Sequence, residues 1–111
     1  MEKAPSEKQK KYLQYLIEKT LKENAPAVEE AKRVCREDKG FLRYYYRALA
    51  KYAFALKIKR LLENGELDRE RAGYAISLLK SWTWPTIPIG VNRYIDAEKV
   101  FGKISVLEVI E

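Results

Sequence analysis

Prolines and glycines divide this chain into two stretches that obey different folding rules. From Ser6 to Ser81 apolar side chains recur at helical spacing, punctuated by Pro26, Gly40 and Gly65. From Trp82 onward Pro85, Pro88 and Gly90 fall close together and β-branched residues become frequent. The first stretch predicts four helices, over residues 6–24, 26–38, 41–64 and 68–81.

Each boundary has a local cause. Ser6 and Gln9 have the spacing of a capping box, in which each side chain satisfies a free backbone N–H. Tyr12, Leu13, Leu16, Ile17 and Thr20 then form one helical stripe, which Pro26 is expected to close. Pro26 also suits the first turn of a second helix, whose stripe is Val28, Ala31, Val34 and Cys35 and whose stop is Gly40. The long third helix ends at Gly65, the residue best able to take the left-handed conformation there. Asp68 is a good N-cap for the fourth, and Gly73 within it marks a helix–helix approach.

Beyond the prolines, Ile87 to Ile95 and Lys103 to Ile110 read as strands, separated by a short helical turn from Asp96 to Phe101 that Gly102 stops. The expected fold is therefore mainly α, a single domain over residues 1–111. It is a four-helix unit with a long third helix and a small C-terminal β element of two strands, about residues 87–110. The last strand is apolar on both faces, so it needs cover on both sides or a second copy of the chain at its edge. A homodimer through this strand is the corresponding expectation.

Composition removes several function classes. With no histidine and one cysteine, the chain lacks the commonest general base, the commonest metal ligand and any multi-cysteine site. No spacing of carboxylates forms an evident acid/base or metal pair, and no glycine-rich phosphate loop is present. The expectation is a non-enzyme without metal or cofactor. The charged N-terminal region has no hydrophobic leader segment and no apolar run is long enough to span a bilayer, so a cytoplasmic protein with no membrane partner is expected. Abundant Lys, Glu and Arg with few Gln, Asn, Met, Cys and His resemble hyperthermophile composition, pointing to a thermophile, archaeal source.

The net charge of +6 is concentrated in one place. Residues 39–62 carry seven basic and no acidic side chains, while the remainder nearly cancels. On a helical wheel Arg43, Tyr44, Arg47 and Lys51 share one side of the third helix within about 100°, and Leu42, Tyr45, Tyr46 and Leu49 share the other. In the second half the buried side moves to Phe54, Ile58, Leu61 and Leu62. Like charges one turn apart repel by a few tenths of a kcal/mol per pair, so a run without a compensating carboxylate favours an anionic partner. Arginine beside tyrosine suits phosphate contact together with base stacking.

A second stripe lies on the first helix, where Lys8, Lys11, Tyr15, Lys19 and Lys22 fall within roughly 80°. Both stripes fit a DNA- or RNA-binding protein of low sequence specificity that tracks phosphates. Trp82 and Trp84 point the same way in an extended segment and are candidate partner-binding residues. They support an alternative, a protein-interaction or assembly module: an accessory subunit, or a virus or plasmid factor acting on a host protein through the C-terminal strand.

Overall fold

A computed structural model describes residues 3–81 and 96–110. Helix α1 runs from Glu7–Glu37, a 3-10 turn covers Lys39–Phe41, and α2 runs from Leu42–Glu63. Helix α3 spans Arg69–Ser81, a helical segment α4 covers residues 96–101, and α5 is Val106–Ile110. At 1.5 Å per residue α1 is about 46 Å long, and it sets the 47 Å long axis of the molecule.

Two expectations fail here. The first and second predicted helices are one helix, because Pro26 lies inside α1 rather than ending it. The apolar stripe explains this. Ala31 follows Leu13 by about five whole turns, so the two point in the same direction, and Ile17, Val28 and Cys35 stay in phase with them. All five are buried in one core. A break at Pro26 would swing the second half of that stripe away from α2, so packing overrides the local penalty. Upstream of the proline the Asn24 side-chain amide donates to the Thr20 carbonyl at 2.8 Å.

The second correction concerns the β element. Among the described residues there is no strand, and the segment predicted as the last strand ends in helix α5. β-branched composition suggested a strand, yet Val106, Val109 and Ile110 have i, i+3, i+4 spacing and share one helical face on the core. Ser105 caps this helix, its hydroxyl accepting from the Glu108 N–H at 3.4 Å. The spacing Ser105-x-x-Glu108 is that of a capping box. No strand edge exists here for a second copy to extend, so the expected dimer contact through it is withdrawn. The other predicted strand, Ile87 to Ile95, lies outside the described residues.

The remaining boundaries match their local signals. Ser6 accepts from the Gln9 N–H and Gln9 Oε1 from the Ser6 N–H, both at 3.2 Å. At the end of α2, Gly65 has φ +70°. There the Glu66 N–H reaches the Leu61 carbonyl and the Gly65 N–H the Leu62 carbonyl, which together form a Schellman motif. Asp68 Oδ1 accepts from the Arg71 N–H at 2.7 Å at the start of α3. Gly102, at φ +93°, follows the helical turn at residues 96–101 as expected.

Helix α2 is the central element. It packs against α1 on one side and α5 on another, and its middle is buried nearly all round by Leu49, Ala50, Ala53, Phe54, Ala55 and Ile58. Three alanines in that run let neighbours approach closely. The Phe54 ring meets Phe101 edge-on at 5.6 Å, and Phe101 stacks on Tyr74 of α3 at 5.8 Å. The expected drift of the buried side along this helix is present, and full burial of Phe54 contributes about 1.5–3 kcal/mol.

Candidate nucleic-acid interface

The run Arg43-Tyr44-Tyr45-Tyr46-Arg47 separates by helical geometry into two groups. Tyr45 and Tyr46 are half-buried against the core, while Tyr44 is 67% exposed. Desolvation raises the Tyr45 phenol, and the charge of Glu30 with its hydrogen bond adds to the effect. Desolvation, then the charge of Glu98, raises Tyr46. These two tyrosines hold α2 in place. Tyr44 is left to the surface.

Around Tyr44 lies an aromatic and cationic cluster. The Arg43 guanidinium sits 5.1 Å from the Tyr44 ring centroid, and its Nη2 donates to the Tyr44 hydroxyl at 3.3 Å. Phe41, 43% exposed, has its ring 6.0 Å from that of Tyr44. Arg47 is exposed one turn further along. Among the described residues no carboxylate lies within 4.0 Å of Arg43 or Arg47.

This cluster occupies the start of α2, where no side chain caps the helix and the first turn holds no acid. The positive end of a helix dipole ordinarily favours anions, and cations there are unfavourable by about 0.3–1 kcal/mol. Lys39, Arg43 and Arg47 add to the positive potential instead of relieving it. Asp38 is the nearest acid along the chain, and its Oδ1 is engaged by the Gly40 N–H at 2.8 Å.

Lys51 departs from the expected pattern. It is half-buried and lines a small hollow with Thr20, Glu23, Asn24, Phe54, Leu78 and Leu79. Desolvation lowers its amine below the ordinary lysine range, repulsion from Arg47 lowers it further, and Glu23 partly offsets both. Glu23 also pairs with Lys19 at 4.0 Å. The inner ends of the two stripes thus converge on one carboxylate, which the sequence spacing within α2 did not reveal.

On α1, Lys8, Lys11, Tyr15, Lys19 and Lys22 are all exposed. Tyr12, expected in the buried stripe, is 39% exposed and stacks on Tyr15 at 6.4 Å with planes 9° apart. Lys80 of α3 places its ammonium 5.9 Å from the Tyr12 ring. Tyr12, Lys80 and Phe41 are therefore additions to the predicted surface. Tyr12 was legible in principle, since on the wheel it borders Lys8 and Lys19; Lys80 joins only through tertiary packing.

The two aromatic groups lie toward opposite ends of an antiparallel hairpin. Tyr45 neighbours Glu30, while Lys59 pairs with Glu18 at 3.8 Å, which fixes the direction of α2 along α1. From Tyr15 to Glu30 is about 22 Å along α1 at 1.5 Å per residue. A third basic feature lies between α2 and the C-terminal segment. There Lys57, Arg60 and Lys103, with Glu108 among them, line a hollow of about 240 Å³ together with apolar Ala53, Leu56, Ile104 and Val109. The candidate partner residues Trp82 and Trp84 lie outside the described residues.

Cys35 is buried in the core, and among the described residues no group of three or more His, Cys, Asp or Glu side chains is placed to hold a metal. No described helix is long and apolar enough to cross a membrane. No protein-family model matches the chain, and neither a curated protein nor a solved structure matches it.

Proposed function

We propose that this chain is a non-enzymatic, cytoplasmic nucleic-acid-binding protein of low sequence specificity, acting on DNA or RNA without metal or cofactor. The observation that carries the reading is the start of α2. There Arg43 and Arg47 stand exposed beside Tyr44 and Phe41, at an uncapped helix end, with no carboxylate partner among the described residues. Arginine offers phosphate a bidentate fork, and the exposed ring beside it offers a base a stacking face. Lys8, Lys11, Lys19 and Lys22 extend the footprint along α1, and Lys51 contributes field more than contact because it is half-buried.

The test is fluorescence anisotropy with labelled oligonucleotides, single-stranded and duplex, across a salt series. Log affinity is expected to fall linearly with log salt, with a slope of about −0.7 to −0.9 per phosphate contacted. Arg43→Gln with Arg47→Gln should flatten that slope by about one to two contacts while leaving the helical circular dichroism intact. Binding weaker than about 0.1 mM to every oligonucleotide at low salt ends the reading, since that falls below ordinary non-specific affinity.

A further inference from the structure

We infer that the ligand is a single strand with unpaired bases rather than a duplex, and that exposed ring faces, not phosphate contact alone, select it. The inference rests on the nucleic-acid reading above and deepens it. Four aromatic side chains stand at the surface in two pairs: Tyr12 with Tyr15, and Phe41 with Tyr44. Each pair carries its own cation against a ring, Lys80 at 5.9 Å from Tyr12 and Arg43 at 5.1 Å from Tyr44. Phe41 and Tyr44 lie in the acid-free run of residues 39–62, and Tyr12 and Tyr15 lie among Lys8, Lys11 and Lys19, the last paired with Glu23.

Tracking duplex phosphates can use a tyrosine hydroxyl but gives an exposed ring face no stacking partner. Base pairs inside a duplex present their edges to the grooves and their faces only to one another. A ring on the protein surface gains a stacking partner only where a base is already unstacked or splayed out. Stacking of that kind is tolerant of sequence, because every base has a π-face. The Tyr12 and Tyr15 rings are near-parallel, 9° apart with centroids 6.4 Å apart, so they present their faces in one orientation. Arg43 over Tyr44 offers a second planar group beside a ring, with its charge available to the neighbouring phosphate.

Tyr12 and Tyr15 belong to the N-terminal half of α1, Phe41 and Tyr44 to the turn at the far end of the hairpin. Their offset along the axis of α1 is about 22 Å.

The experiment compares four probes of equal length at low salt with the full chain. They are oligo-dT, its duplex with oligo-dA, the RNA equivalent oligo-U, and an abasic strand that keeps the phosphates and lacks the bases. Oligo-dT or oligo-U is expected to bind at least about tenfold more tightly than the duplex and the abasic strand. In the double variant Tyr15→Leu with Tyr44→Leu, the advantage of the base-bearing strand over the abasic strand should collapse. Leucine at these exposed helical positions costs the fold little, and circular dichroism checks it. Duplex binding as tight as the single strand, or abasic binding as tight as oligo-dT, overturns the inference while leaving the wider reading in place. Failure of all four probes overturns both.

Discussion

Replacing Pro26 by alanine should make this protein more stable. Pro26 lies in the interior of a helix of 31 residues. Its nitrogen cannot donate to the Lys22 carbonyl one turn back, and its ring crowds that same group. An interior proline is about 3 kcal/mol worse than alanine in a helix. Against this, alanine returns about 0.4–1 kcal/mol of freedom to the unfolded chain. Pro26 is exposed, so no core contact is lost with its ring. The expected net gain is about 1–2.5 kcal/mol. Urea titration followed by helical circular dichroism measures it. With a slope of about 1.5–2 kcal/mol per molar, the midpoint should rise by roughly 0.5–1.7 M with the slope unchanged. An unchanged or lower midpoint would mean that residue 26 is not inside a continuous helix, and the argument from the shared stripe of Leu13 and Ala31 would be wrong.

Two glycines should respond in opposite directions. A Cβ on Gly73 meets only Gln9 Nε2, at 3.8 Å, so Gly73→Ala should stabilise by about 0.5–1 kcal/mol through helix propensity. Gly65 holds φ +70° in open space, so Gly65→Ala should lose about 1 kcal/mol by conformational strain alone; thermal melts of the two variants decide. The Asp68 carboxyl is held below its ordinary range, first by the Arg71 N–H and then by the Arg71 side chain, against the opposing effect of burial. Its stabilisation is therefore present above about pH 4 and lost as pH falls through the lower folded-state value. Asp68→Asn keeps a capping oxygen and removes that charge. The variant should melt lower than the parent at pH 7, with the difference narrowing as pH falls below about 4. A difference that persists unchanged in acid would contradict the linkage.

Helix ends were readable along this chain because their determinants are local. The Ser6–Gln9 box, the Gly65 turn, the Asp68 cap and the Gly102 stop each depend on bonds among residues a few positions apart, and the structure contains them all. The concentration of positive charge in residues 39–62 and the separation of Tyr44 from Tyr45 and Tyr46 follow from helical periodicity, another local property. Other features depended on what covers a face. Pro26 is a breaker by its own chemistry, yet the core shared by both halves of α1 holds the helix through it. Residues 106–110 carry strand-like side chains and a Ser105–Glu108 capping signal at once, and packing on α1 and α2 decides for the helix. Tyr12 looked apolar and Lys51 looked free. The positions of α2 and α3 expose the first and half-bury the second, because the fate of a boundary residue is set by its neighbours across the fold rather than along the chain.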